Sequence, residues 1–207
     1  VRPLQPTLYF TRLAQRICSA LSAPTAEGKL YEIDIRLRPT GRVGPAVVQI
    51  DRYFEYLKTQ AWTWELMALT RARPVAGPEE VQTMVCEGIR TTLTSITNEE
   101  KLRVDAVEMR KKMITQQKDT SKWNIKYRIG GLVDIEFILQ FLQLVNANQN
   151  DQVLSTNTLS ALRRLKTANI LCESAANSLE EALQFLQWLQ FMNRIIGPDF
   201  FEREELQ

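Results

Sequence analysis

Leu30-Tyr31-Glu32-Ile33-Asp34-Ile35-Arg36-Leu37-Arg38-Pro39 alternates apolar and charged side chains without a break. Successive side chains of a β-strand point to opposite faces. The pattern therefore predicts a strand with Tyr31, Ile33, Ile35 and Leu37 on one face and Glu32, Asp34, Arg36 and Arg38 on the other. Two acids beside two arginines suit a surface that holds a divalent metal and a polyphosphate together, because oxygen ligands take Mg²⁺ and guanidinium groups grip phosphate oxygens. Four charges on one strand face also describe a solvated face with cross-strand ion pairs. The pattern by itself leaves both readings open.

On either side of this stretch the spacing changes. Leu8, Leu13, Ile17, Ala20 and Leu21 follow helical intervals, which predicts a helix over residues 7–21 ending at the breakers Pro24 and Gly28. After the strand, Pro39-Thr40-Gly41-Arg42-Val43-Gly44-Pro45 reads as a loop and 46–50 as an apolar run of strand length, so a β-hairpin is expected. The loop glycines would let backbone come close to a ligand, although hairpins want glycine anyway. Asp51 is the expected cap of one long helix carrying Phe54, Leu57, Ala61, Trp64, Ala68 and Ala72 and stopping before Pro74 and Gly77.

Beyond residue 78 the chain reads as helices with short connections, an α-helical bundle. Pro78, Glu79 and Glu80 make a first turn, with Val81, Met84, Val85, Ile89 and Leu93 as the buried side. Asn98 caps a helix with Leu102, Ala106, Met109 and Met113 at helical intervals. Residues 122–128 alternate as a short extended piece. Residues 132–145 are apolar nearly all round apart from Glu136, Gln140 and Gln143, which predicts a central buried helix. Ser155 or Thr156 opens the next helix, and a last long one runs over 174–196. Residues 74–78 are the expected boundary, giving domains 1–73 and 78–207.

The bulk numbers narrow the chemistry. The net charge is +2 over 207 residues, which argues against a nucleic-acid binder working through bulk charge, an RNA nucleotidyltransferase included. There is no histidine. Serine triads, Cys-His pairs and His-ligated metals are thereby excluded, and enzymatic chemistry would rest on carboxylates. Cys18, Cys86 and Cys172 are far apart and in no CxxC spacing, so they read as small buried apolar residues of a reducing compartment rather than zinc ligands. No window of 18 apolar residues and no signal-peptide pattern occurs, so a cytoplasmic protein without a membrane partner is expected. The opening Val1-Arg2-Pro3 lacks a methionine, and a piece of a longer polypeptide is the expectation.

Two further groups can carry chemistry. Gly130-Gly131 opens the buried helix, whose first amides could receive a phosphate or carboxylate. Asp134 and Glu136 lie two apart, about 200° around a helix, and cannot share one metal. Glu136 is expected to pair with a cation across the domain interface, and Asp134 to complement the helix dipole. Trp62, Trp64, Arg71 and Arg73 form the other group. Aromatics at this spacing are usually core and arginines at a helix C-terminus usually answer its dipole, with nucleotide contact by Arg71 and Arg73 as the sharper reading.

Residues 30–39 with Gly41 and Gly44 resemble the catalytic-strand motif of bacterial glutamine synthetase adenylyltransferases. Ala61-Trp62-Thr63-Trp64-Glu65 with Ala68-Leu69-Thr70-Arg71-Ala72-Arg73 resembles the segment after it, Met109-Arg110-Lys111-Lys112-Met113 the next helix, and Lys126, Gly130, Gly131 and Asp134-Ile135-Glu136-Phe137 the helical-domain signature. Four stretches agree in order. The resemblance implies a polymerase-β-type nucleotidyltransferase that moves AMP from ATP to a tyrosine hydroxyl of glutamine synthetase, with Mg²⁺, under control of a PII signalling protein and glutamine. It also implies that Asp34 is a catalytic and metal-binding carboxylate, that Glu32 shares its face, and that Arg36, Arg38, Gly41, Arg71 and Arg73 serve the nucleotide phosphates. Lys126, Gly130, Gly131, Asp134 and Glu136 would support the site or the domain junction.

The family's glycine-serine turn and Asp-x-Asp pair precede this strand, and nothing before residue 30 matches them. The expected fold is therefore α+β but mostly α-helical: a truncated nucleotidyltransferase sheet of two or three strands with one or two helices, then a helical bundle. The Trp-Thr-Trp form suggests the C-terminal adenylylating half, expected to be inactive as this segment alone. The AMP-removing half, which releases ADP by phosphorolysis, and a non-catalytic helical module binding glutamine synthetase or PII protein are the alternatives.

Overall fold

The computed structural model describes residues 5–26, 28–29, 33–117 and 124–196. Helix dominates. α1 spans Pro6–Leu21, where Pro6 supplies a preset φ at the first helical position. β1 (Pro24–Thr25) and β2 (Gly28–Lys29) pair antiparallel as a two-residue ribbon, Thr25 opposite Gly28. α2 (Ile50–Thr59), α3 (Thr63–Leu69), α4 (Glu79–Thr94), α5 (Glu99–Gln116), α6 (Leu132–Asn146), α7 (Thr158–Thr167) and α8 (Glu173–Ile196) follow.

Several sequence expectations hold closely. α1, α6 and α8 lie within a residue or two of where spacing put them, and Asn98 caps α5 by accepting the Lys101 backbone N–H at 3.0 Å. Others do not. Ile33 to Arg38 form no strand, and no hairpin joins them to residues 46–50, which are irregular up to the start of α2. A strand needs a ladder partner for its N–H and C=O groups, and here local bonds take that place. Arg36 N–H donates to Asp34 Oδ1 at 2.9 Å and Arg38 N–H to the Arg36 carbonyl at 3.0 Å.

The single long helix expected after Asp51 is two helices. Gln49, not Asp51, is the cap of α2, and Asp51 sits in its first turn. The break at Gln60–Trp62 is fixed by Glu65, whose carboxylate reaches back to accept the Trp62 N–H at 2.9 Å, half of a capping box. The expected extended piece is a turn over 124–130, closed by Arg128 N–H to the Asn124 carbonyl at 3.2 Å. α7 is capped by Asn157 rather than Ser155 or Thr156, with Asn157 Oδ1 accepting from Ser160 N–H at 2.9 Å.

The chain divides into two units, Val1–Ala61 and Trp62–Gln207. In the first, Leu57 is the one buried hydrophobic side chain among the described residues, and α1 buries none. Leu8, Phe10, Leu13, Ile17 and Leu21, the apolar positions of α1, are all exposed. Among its described residues this unit has almost no core of its own.

The second unit holds the core. α6 is its centre, packed against α3, α5, α7 and α8. Leu132, Ile135 and Leu139 of α6 join Val153, Leu162, Leu165, Ala176 and Leu183 in one cluster. Each such leucine, fully buried, stabilises by about 1.5–3 kcal/mol. The polar stripe expected on α6 ends inside this core: Gln143 is 2% exposed, and its Oε1 accepts the Ser155 N–H at 2.7 Å. That bond satisfies the buried amide oxygen and ties α6 to the approach to α7.

α4 departs from its expected pattern. Thr92 and Leu93 are buried, but Val81 and Met84 are exposed, so only the end of the helix meets the core. Cys86 and Cys172 are also exposed rather than buried. Hydrogen bonding to the Ser174 hydroxyl, 3.4 Å away, holds the Cys172 thiol below its ordinary pKa.

Candidate functional site

The charged stretch and its loop lie in the first unit. Glu32 falls outside the described residues. Asp34 and Arg36 do share a side, as an i, i+2 pair on extended backbone should. Arg36 Nε lies 2.9 Å and 2.8 Å from the two carboxylate oxygens of Asp34, and its Nη2 also donates to Oδ2. Both groups are more than half exposed, so the pair contributes little to stability. It does set the charges side by side.

Arg38 has a different task. Its Nε donates to the Gly44 carbonyl at 3.1 Å and its Nη1 to the Ile35 carbonyl, closing the 35–44 loop from within. Gly41 sits at φ +59° and Gly44 leaves no room for a side chain: a Cβ there would lie 2.0 Å from the Pro39 carbonyl oxygen. The loop is tight because its backbone is close-packed. As it stands, two of Arg38's nitrogens serve the loop.

The second group of residues lies in the second unit. Arg71 Nη1 donates to Glu136 Oε1 at 2.8 Å, so Glu136 does pair with a cation, but both residues belong to the second unit, whose boundary falls at Ala61 rather than at 74–78, and the pair does not join two domains. Lys126 Nζ stands 5.0 Å from the Tyr127 ring centroid, within cation–π range. Arg73 makes no hydrogen bond or ion pair among the described residues; it lines a cleft together with Arg90 and Arg164.

The start of α6 is not an open anion site. Gly130 N–H donates to Asp134 Oδ2 at 2.6 Å, Gly131 N–H to the Arg128 carbonyl at 2.9 Å, Leu132 N–H to Ile125 and Val133 N–H to Lys126, both at 3.0 Å. The amides that could have taken a phosphate are engaged by the preceding turn. Gly131 is required for that contact, since a Cβ would meet the Ile125 oxygen at 2.5 Å and the Arg128 oxygen at 2.9 Å.

Asp134 does more than complement a dipole. It pairs with Arg110 of α5, whose side chain is 11% exposed. Arg110 Nη2 also donates to the carbonyls of Tyr127 at 2.9 Å and Arg128 at 3.2 Å. One guanidinium thus clamps α5, the 124–130 turn and the first turn of α6. Sequence reasoning missed it, yet the signal was there: Leu102, Ala106 and Arg110 continue one i, i+4 stripe into the core.

Asp34, Arg36, Arg38 and Gly41 therefore stand in one unit, and Arg71, Arg73, Lys126, Gly130, Gly131, Asp134 and Glu136 in the other. A divalent ion of the Mg²⁺ type needs several oxygen ligands. Among the described residues no three acidic or thiol groups gather for one, and Asp34 offers a single carboxylate already engaged by Arg36. These residues do not by themselves make a Mg²⁺ site.

Residues 2–88 match the family model for glutamate-ammonia ligase adenylyltransferase, and residues 99–194 that for GlnD PII-uridylyltransferase. Both descriptions name nucleotidyltransferases. The chain is 39% identical over 97% of its length to the bifunctional glutamine synthetase adenylyltransferase/adenylyl-removing enzyme of Rhodopseudomonas palustris strain TIE-1, covering 20% of it. Against the same-named protein of Rhizobium meliloti strain 1021 it is 39% identical over 98% of its length and covers 21%. For Bradyrhizobium diazoefficiens the values are 37%, 98% and 20%. The chain is thus similar over nearly its whole length to bifunctional glutamine synthetase adenylyltransferase/adenylyl-removing enzymes and spans about a fifth of the length of these relatives.

Proposed function

We propose that this chain is part of the adenylylating half of a glutamine synthetase adenylyltransferase, contributing to AMP transfer from ATP to a tyrosine hydroxyl of the synthetase. The observation that carries this is Asp34, set beside Arg36 on extended backbone inside the region matched by the adenylyltransferase model. On this reading Asp34 gives one oxygen ligand to a Mg²⁺ completed by other parts of the enzyme, with Glu32 as the second candidate carboxylate. Mg²⁺ in such a site neutralises charge on the transferring phosphate.

On this reading Arg36 and Arg38 would serve the nucleotide phosphates, Arg38 by exchanging its bonds to the loop carbonyls for the ligand, beside Gly41, whose surroundings are open. Arg71 is committed to Glu136, which leaves Arg73 as the cation of that pair available to a phosphate. Residues 1–73 would belong to the C-terminal part of a nucleotidyltransferase domain and 78–207 to a helical domain. The first unit ends at Ala61, short of residue 73; its described residues bury almost no apolar side chain, and further protein would cover the apolar positions of α1.

PII protein and glutamine enter as regulators, supported for PII by the match of residues 99–194 to a family named for acting on it. Among the described residues no helix is long and apolar enough to cross a membrane. In the intact enzyme, Asp34→Asn should abolish AMP incorporation into glutamine synthetase while leaving the circular dichroism spectrum unchanged. Near-normal turnover would remove Asp34 from the site. The second reading, the AMP-removing half, shares the relatives' name; it would be favoured if Asp34→Asn instead stopped phosphate-dependent release of ADP from modified synthetase.

A further inference from the structure

Between α4 and the segment from Asp151 to α7, the second unit carries a cleft of about 330 Å³. Arg73, Arg90 and Arg164 line it, and Asp151 is the one acid among its lining residues, so the cleft holds a surplus of two positive charges. Asp151 is paired with Arg90, which keeps the Asp151 carboxyl below the usual carboxylate range. Arg164 donates through Nη1 to the Leu154 and Gln152 carbonyls, which fixes the guanidinium at the rim and leaves its other nitrogens unassigned. Arg73 is exposed and has no partner among the described residues. Ile89, Leu93 and Leu154 supply an aliphatic floor.

Two of the three guanidinium groups are thus held in place by their own bonds, and the third is free to close on a ligand. A surplus of two charges matches a phosphate group, which is close to doubly ionised at neutral pH, better than it matches a carboxylate. Arginine forks suit the tetrahedral oxygens of phosphate. The floor would accept the uncharged body of such a molecule.

We infer that this cleft binds a small phosphate-bearing molecule through Arg73, Arg90 and Arg164. The inference deepens the phosphate-binding role proposed for Arg73 above but is independent of adenylyl transfer at Asp34, since it concerns a site within the second unit alone.

Cys86 makes the site testable, because it lines the cleft and is exposed, while Cys172 is exposed elsewhere. Alkylation of each cysteine in the 207-residue chain can be followed by mass spectrometry with pyrophosphate as the probe, at constant ionic strength. Pyrophosphate at about ten times its Kd should slow Cys86 modification about tenfold by mass action and leave Cys172 unaffected. Acetate at the same concentration should protect neither. Arg73→Glu should weaken pyrophosphate protection at least about tenfold, and Arg73→Lys should recover part of it. Because Arg73 is exposed, both variants should keep the wild-type helix content. Absence of Cys86 protection, equal protection by acetate, or unchanged protection in Arg73→Glu would each overturn the inference. None of these results depends on whether Asp34→Asn is active.

Discussion

Removing the Asp134 carboxylate should destabilise the protein by about 3 kcal/mol, far more than any exposed ion pair in the chain. Arg110 is 9% exposed as a residue, and its partner Asp134 retains 23% side-chain exposure. In Asp134→Ala the guanidinium keeps the carbonyls of Tyr127 and Arg128 but loses its counter-charge, and Gly130 N–H loses its acceptor. Breaking a buried pair from one side costs about 3–5 kcal/mol; the partial exposure of Asp134 places this case at the lower end. Arg110 Nη1 is already buried without a hydrogen-bond partner, so the site has no spare acceptor with which to recover.

Urea denaturation followed by far-ultraviolet circular dichroism would measure the loss, and the corresponding fall in Tm is about 6–12 °C for a chain of this size. Arg103→Ala is the control, since Arg103 and Glu100 form a largely exposed i, i+3 pair whose removal should leave the urea midpoint nearly unchanged. If Asp134→Ala and Arg103→Ala cost the same, the clamp between α5, the turn and α6 is not what holds this part of the bundle.

The same clamp predicts that Gly131→Ala, which drives a Cβ into two backbone carbonyls, costs about 2 kcal/mol or more, whereas Gly130→Ala, strained only by its φ of +78° in open space, costs about 1 kcal/mol; paired denaturation curves would check the order. Leu139→Ala, at 1% exposure in the central cluster, should lose about 2–5 kcal/mol in the same assay. Arg90 holds the Asp151 carboxyl below its ordinary value of 3.8, so the stability this gives is present above that pH and is lost as pH falls through the lowered folded value. Wild type should therefore exceed Asp151→Asn in stability at neutral pH and converge with it as pH falls through the lowered folded value, as read from acid unfolding curves. Incubated alone with labelled ATP and Mg²⁺, this segment should leave glutamine synthetase unlabelled; efficient labelling would show that one described carboxylate suffices.

The helices were legible in the sequence wherever local and tertiary signals agreed. α6 was unmistakable because it is apolar nearly all round, and α5 because Asn98 provides a cap whose bond is strictly local. The break between α2 and α3 was hidden: the apolar spacing runs straight through it, and what starts α3 afresh is a reach-back by Glu65 to the Trp62 N–H that periodicity does not encode. The charged stretch at 30–39 reads as a strand because alternation reports which way side chains point, not whether a ladder partner exists. Asp34 and Arg36 do share a side, but the backbone there bonds to itself.

In the site, the pairing of Glu136 with a cation was readable from a lone acid on a buried helix. The role of Asp134 was not, because the residue that claims it, Arg110, comes from another helix: the stripe Leu102, Ala106, Arg110 turns Arg110 inward but does not say which acid it meets. Likewise Gly130 and Gly131 advertise free amides, and only the fold shows the preceding turn occupying them. Contacts distant along the chain are where a local reading stops.

The most direct test of the central claim measures both activities of the intact enzyme in parallel after Asp34→Asn: AMP transfer from ATP onto glutamine synthetase, and phosphate-dependent release of ADP from the modified synthetase. Loss of the first with the second retained is the predicted result. Retention of AMP transfer would contradict the assignment of this chain to the adenylylating site.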